Sequence, residues 1–421
     1  MSSTRTARPG SPLRQERWSS SFNKGLLANL VAKRCEQIED AEGRAVVWFL
    51  QWLSWQPGGI AAHIGEIYPS EHLKENPAID LEQELFAGCL SVELQPKNDP
   101  DLRLASIYRE RWIKKHSGGV TTEIGRRVAE AIEYARATRC LVLVDGLPRI
   151  GKSFSARTFC ERSAGMVRYV ETPASNDDFS FFRAIAKSLG VASSLKMKAQ
   201  EIRARVEETL QAGDLTVVLD EAHYCFDSYL RSSSLPVRIN WIMTALVNCG
   251  VPVVLVTTPQ FYKAQARVEK STGWTSDQFI GRIGHVEKLP EQLSMPDLVA
   301  VAGAVFPEGD ARSHRALAAY ADLSKQHLSA ITALANRARW LAKQDARKDA
   351  SAADLGRAMR ECVLPVEMEL AKSLAAAKSR KPRKPRATFS PAPRDTGAGL
   401  CRVSDEMISS WRRGSTAPLA G

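Results

Sequence analysis

The segment Cys140-Leu-Val-Leu-Val-Asp145 runs directly into Gly146-Leu-Pro-Arg-Ile-Gly151-Lys152-Ser153, and this junction constrains the fold more than any other feature. Its second half fits G-x-x-x-x-G-K-[ST], between a predicted strand and a predicted helix over 153–163, the context that gives the pattern meaning. Glycines there let backbone amides turn inward onto phosphate oxygens, and the helix N-terminus adds its positive dipole end. Gly146, Leu147, Pro148, Arg149, Ile150, Gly151, Lys152 and Ser153 are therefore read as a cradle for ATP. In that reading Lys152 neutralises the β and γ phosphates and Ser153 ligates Mg²⁺. Arg149 stands where many such loops carry glycine, which is tolerable if its φ stays negative.

Further aliphatic runs lie at 166–171, 215–220 and 251–257, with helical patterns between them at 178–189 (closed by Gly190), 198–211 and 236–248. Continuous aliphatic strands separated by helices predict an α/β fold whose parallel sheet is covered by helices on both faces. Upstream, 24–40 and 44–55 have helical spacing, and a helix fits 121–137 with Thr121 or Thr122 as its cap. The stretch from Gln56 to about Pro100 is irregular. Residues 295–372 are Ala- and Leu-rich with helical period and no strand pattern.

Leu215-Thr-Val-Val-Leu-Asp220-Glu221-Ala-His223 is a hydrophobic strand ending in two carboxylates. Asp220 is placed to hold Mg²⁺ through water, and Glu221 to polarise the attacking water as general base. If the 251–257 strand lies between the first and third, its end faces the γ-phosphate. Thr258 is then preferred as the hydroxyl that orients the water. Arg282, in QFIGRIGH, is the candidate for an arginine that reaches a neighbouring subunit's γ-phosphate, with Arg238 as the alternative. The letters D-E-A-H also name a helicase class, but about 60 residues separate Glu221 from Arg282. A second lobe of roughly 150 residues does not fit there.

The formal net charge of +11 invites a nucleic-acid reading, so its location matters. Residues 371–421 carry 11 basic and 3 acidic residues, and residues 1–24 carry 5 and 1, which leaves −1 for 25–370. The body is neutral, and a salt-sensitive pull on phosphates belongs to the ends, above all Lys378 to Arg386. The same run also reads as a solubilising tail or partner peptide. Leu400, Met407, Ile408 and Trp411 could form a short helix that docks on a partner. The eight cysteines form no C-x-x-C pair and read as buried reduced thiols of a cytoplasmic protein. Ala45 to Trp55, the longest strongly apolar stretch, is 11 residues. A membrane span needs ~20.

With these residues in place, 117–372 resembles AAA+ ATPases of the P-loop NTPase class, in the initiator-like and ExeA-like group. Within it, the chain looks most like the target-selection ATPases of Mu-like and related DDE transposons. The resemblance rests on VTTEIGRRVAEAIEYAR, GLPRIGKS, YVETPASNDDFSFFRAIAKSLGV, LVLDEAH, VPVVLVTTPQ and FIGRIGHVEKL, in that order. Composition and helical patterns set off a basic disordered N-terminus (1–24), a helical and irregular extension (25–116) and a basic, mostly disordered tail (373–421) around the ATPase core (117–292) and small helical lid (293–372) that the resemblance implies. The resemblance further implies ATP-dependent homo-oligomers, as rings or filaments on double-stranded DNA, that recruit a transposase or another mobile-element protein. DNA contacts would come from Pro173 to Asp177 and from Ser193 to Lys198, with Lys196 and Lys198 as phosphate contacts. The lid arginine that often begins a helix in this family is matched here by Ser329. A nucleotide-switched adaptor or loader acting through protein binding is the competing reading.

Overall fold

A computed structural model describes residues 28–36, 38–56, 100–117, 120–226 and 235–361. The proposed basic ends, the lid's last residues, Lys378 to Arg386 and the 400–415 segment lie outside the described residues, as does most of the irregular stretch after Gln56.

The strands are β1 (Leu141–Asp145), β2 (Val167–Glu171), β3 (Thr216–Asp220), β4 (Val253–Thr257) and β5 (Ile283–Lys288), ordered β2-β3-β4-β1-β5 with every pair parallel. β4 does lie between β3 and β1. Alternation along each strand divides the core in two. Leu141, Leu143, Val217, Leu219, Val253 and Leu255 face one cluster, and Val142, Val144, Val218, Val254 and Val256 face the other.

Before the sheet come α1 (Ala28–Cys35), α2 (Ala41–Ser54), α3 (Pro100–Ser117) and α4 (Glu123–Thr138). Thr122 caps α4 by accepting the Gly125 amide at 3.0 Å. Between strands lie α5 (Lys152–Arg162), α6 (Asp178–Leu189), α7 (Ala199–Gly213) and α8 (Val237–Trp241). The predicted helix 236–248 is not uniform: α8 passes into a π turn at Ile242–Leu246 and a 3₁₀ turn at Val247–Cys249. Then come α9 (Gln260–Thr272) and α10 (Asp277–Ile280).

β5, unlike the other edge strand β2, is largely exposed and has no aliphatic run. Gly284, His285, Val286 and Lys288 are exposed, and only pairing with β1 makes it a strand.

After β5 the described chain is helical: α11 (Met295–Val305), α12 (Ala311–Leu323), α13 (His327–Gln344) and α14 (Ala352–Glu361). Leu298, Leu317, Leu334 and Leu341 join the cluster that also holds Val142 and Val254. The helical segment thus shares its core with one sheet face.

The N-terminal helices are built into the opposite core. Trp48, Phe49 and Leu53 of α2 are buried among the residues of α6 and α7. A Cβ at Gly165 would lie 2.8 Å from the Trp52 Cβ, one at Gly190 2.4 Å from the Trp55 Nε1, and one at Gly213 2.6 Å from the Trp48 ring. Side chains at these three positions would exclude α2. From inside, the buried Arg168 of β2 donates to Gln51 Oε1 at 2.6 Å and stacks on Trp48 at 5.6 Å. Desolvation pushes its pKa down to about 9, which leaves it charged at neutral pH.

Among the described cysteines, Cys35, Cys160 and Cys225 are buried, Cys140 is half-buried, and Cys249 is exposed, so the reading as buried thiols does not hold for Cys249. Among the described residues no helix is long and apolar enough to cross a membrane.

Candidate functional site

The site lies where parallel strands end. β1 delivers Asp145 and the loop Gly146–Gly151, and α5 begins at Lys152 with Gly151 as N-cap at φ 99°. Only glycine adopts that backbone without strain. Gly146 is needed for space, since a Cβ there would lie 3.0 Å from both Ile150 Cδ1 and Leu289 Cβ. Ile150 is buried and pins the loop to the core, while Leu147, Pro148 and Arg149 are exposed.

Arg149 departs from expectation: its φ is 68°, in the left-handed region. Between the buried Ile150 and the tightly packed Gly146, the loop leaves that residue a left-handed turn. For an L-residue this costs about 1–2 kcal/mol. Arg149→Gly is therefore expected to raise stability by about 0.5–1 kcal/mol, after the glycine's extra unfolded-state entropy. Urea denaturation with and without nucleotide measures it.

Lys152 is buried, and its Nζ donates to the carbonyls of Gly146 at 2.7 Å and Leu147 at 2.5 Å. Burial pushes its pKa below the usual lysine value, while Asp220, Glu221 and Asp145 pull it back up. A buried ammonium held mainly by carbonyl oxygens suits an anionic ligand such as a triphosphate. Asp220, at the end of β3, is 3% exposed. Its Oδ2 accepts from the Tyr169 hydroxyl at 2.6 Å and its Oδ1 from the Glu221 amide at 2.9 Å. With the half-buried Ser153, this hard-oxygen donor set fits Mg²⁺.

Glu221 follows at φ 51°, a second left-handed non-glycine residue. Burial raises its pKa first, with the Asp220 and Glu171 charges adding to the rise and Lys152 opposing it. His223 Nδ1 lies 3.2 Å from Glu221 Oε2 but is not aligned for a hydrogen bond. Burial holds the imidazole below its usual pKa, so the contact is not an ion pair at neutral pH. On β4, the Thr257 hydroxyl is spent on the Val144 carbonyl at 3.2 Å, whereas Thr258 opens on the cleft. That cleft, about 860 Å³, is lined by Pro148, Glu171, Thr172, Glu221, Thr258 and Lys263 among others.

The phosphate loop, Asp220, Glu221 and Thr258 thus converge at the ends of β1, β3 and β4. Arg282 does not join them. It precedes β5, at the opposite end of the strands, where it donates to Asn248 Oδ1 at 2.9 Å and the Gln278 carbonyl at 2.7 Å.

Arg238 is excluded as the alternative. It is fully buried in its own chain, donating to Asp178, to the Ser175 carbonyl and to the Tyr224 carbonyl. Lys196 and Lys198 are exposed on the connection between α6 and α7, outside the cleft lining. Ser329 sits in the first turn of α13, whose Leu328 presses on the phosphate loop: a Cβ at Gly151 would lie 2.7 Å from Leu328 Cδ1.

Sequence reasoning missed Tyr169. Its signal is a tyrosine one position from the end of β2's aliphatic run, which acquires meaning only through pairing with β3.

Residues 135–265 match the family model described as an AAA domain. The "ATP-dependent target DNA activator B" of Escherichia phage Mu is 23% identical over 155 residues, covering 35% of this chain and 49% of the phage protein. The protein of the same description from Escherichia phage D108 matches to the same extent. The chain spans about half the length of these curated relatives. Among solved structures, the RuvB Holliday junction branch migration motor of Thermotoga maritima aligns with TM-score 0.40 and 14% identity, over 62% of this chain and 77% of that one. The chain has the P-loop NTPase fold, matches an AAA domain over residues 135–265, and is similar over 155 residues to the phage target DNA activators.

Proposed function

We propose that this protein is a Mg²⁺-dependent ATPase that assembles as a homo-oligomer on double-stranded DNA and serves a transposition or related mobile-element step. The observation that carries the ATPase reading is the placing of the Lys152 loop after β1 and of buried Asp220 and left-handed Glu221 at the end of β3, beside a cleft that Pro148 and Glu221 line. Support for the DNA and transposition reading comes from the similarity to proteins described as ATP-dependent target DNA activators.

In this reading Lys152, the loop amides and the α5 N-terminus hold the phosphates. Ser153 and Asp220 hold Mg²⁺, which supplies Lewis-acid stabilisation of phosphoryl charge when bound. Glu221 takes the proton of a water that Thr258 orients. The Arg282 guanidinium of a neighbouring subunit would enter the open cleft. A transposase or other mobile-element protein is the proposed recipient of the assembled form.

Electron microscopy of the full chain with duplex DNA and a non-hydrolysable ATP analogue tests the assembly. Rings or filaments that need both nucleotide and duplex are expected. Normal ATP turnover without DNA-dependent assembly would instead favour an adaptor or loader acting through protein binding.

Lys196→Ala with Lys198→Ala is expected to weaken duplex binding about tenfold near physiological salt, uniformly across sequences. It should flatten the log K versus log [salt] slope by about 1–2. Fluorescence anisotropy over a salt series checks both.

A further inference from the structure

The cation-binding carboxylate of the proposed site is held by residues outside both sequence motifs. The Tyr169 hydroxyl on β2 lies 2.6 Å from Asp220 Oδ2, and Arg157 Nη2 lies 3.3 Å from the same hydroxyl. A guanidinium can only donate. The tyrosine oxygen therefore accepts from Arg157, and its single proton is committed to Asp220.

The rest of the arrangement locks this direction. The Arg157 guanidinium stands 4.9 Å from the Tyr169 ring centroid and 3.8 Å from Glu171 of the same strand. On the other carboxylate oxygen, Asp220 Oδ1 takes the Glu221 amide at 2.9 Å. The Asp220 carbonyl accepts the Thr172 amide at 3.1 Å, which closes the β2–β3 ladder beside it. Both oxygens of a 3% exposed carboxylate are thus oriented before any cation arrives.

Arg157 also connects the two proposed cation ligands. It lies four residues after Ser153 on α5, so both occupy one face of that helix. Arg157 and Tyr169 therefore link the helix that carries the serine to the strand that carries the aspartate.

We propose that Tyr169, held by Arg157, is a positioning residue that sets the orientation of Asp220 and thereby the affinity of the nucleotide complex for its divalent cation. The inference rests on the Mg²⁺·ATP reading of the cleft. Outer-sphere partners of this kind typically change metal affinity by about 10- to 100-fold when removed.

Tyr169→Phe is the decisive variant, because it keeps the ring and deletes only the hydroxyl. The probe is Mn²⁺ bound to the full chain with the β,γ-imido analogue of ATP, followed by electron paramagnetic resonance. Mn²⁺ affinity is expected to fall about tenfold, with analogue binding in EDTA and the thermal melt unchanged. Arg157→Met should lower Mn²⁺ affinity in the same direction by a smaller factor.

Unchanged Mn²⁺ affinity in Tyr169→Phe would overturn the positioning role. An equal loss of analogue binding in EDTA would also overturn it, since the hydroxyl would then support the fold rather than the cation. Absence of a protein-bound Mn²⁺ signal in the wild type would overturn the reading of the site itself, and this inference with it.

Discussion

Glu221→Gln is expected to lower the ATP turnover rate by about 10²- to 10⁴-fold while leaving ATP binding within a factor of about two. The amide keeps the size and the hydrogen-bonding shape of the side chain but cannot take a proton from water. Lys152, Gly151 and Asp220, which hold phosphates and cation in the proposed mechanism, are untouched. Phosphate release measured beside equilibrium binding of a fluorescent ATP separates the two effects. Loss of binding together with turnover would point to damage of the loop instead.

The same residue gives a signed dependence on pH. Burial and the neighbouring Asp220 charge raise the Glu221 pKa above the ordinary 4.5. A base must be ionised, so turnover falls as the pH drops through that raised value, and the acid limb lies above 4.5. For stability the sign is opposite. A carboxylate whose folded pKa is raised holds its proton more tightly in the folded state, so ionising it on going to neutral pH works against folding. Gln removes that penalty, and the variant is expected to melt no lower than the wild type at pH 7.

Trp48→Ala is expected to destabilise the protein by about 3–5 kcal/mol, the usual range for truncating a fully buried large aromatic. Trp48 is 0% exposed, and Gly213 lacks a side chain where the Trp48 ring passes. The ring also forms one wall around the Arg168 guanidinium, which no carboxylate among the described residues pairs with. Without it, a buried cation would keep Gln51 Oε1 but lose an aromatic face. Urea denaturation followed by fluorescence gives the midpoint. A loss under about 1 kcal/mol would mean that α2 is a removable module, contrary to its burial among α6 and α7.

What was legible in the sequence were the elements that carry their own pattern. β1, β3 and β4 are central strands buried on both faces, so their aliphatic runs declare them, as does the loop whose glycines answer a local backbone need. The place of β4 between β3 and β1 was only the condition under which its end would face the γ-phosphate, and the sheet order meets that condition.

What was hidden depended on partners distant in the chain. β5 lies on the sheet edge with Gly284 and His285 in it, and without β1 nothing marks it as a strand. α3 has a weak apolar stripe and was not anticipated, although its Trp112 donates to the Glu161 carbonyl at 3.1 Å. Arg238 was the alternative for its place near the start of the helix after the acidic motif; its burial against Ser175, Tyr224 and Asp178 is a tertiary fact. The left-handed turn at Arg149 reflects packing on both sides of it, which no single-residue preference predicts. Tyr169 belongs to the same class, since a β2 side chain reaches Asp220 only once β2 and β3 pair in register.

The central claim is that this cleft binds and hydrolyses Mg²⁺·ATP. The most direct test is phosphate release by the purified full chain at saturating ATP, with Mg²⁺ and with excess EDTA, at equal bound nucleotide. The account predicts steady release with Mg²⁺ that stops in EDTA. Bound ATP that persists without release in Mg²⁺, or release that continues unchanged in EDTA, would contradict it.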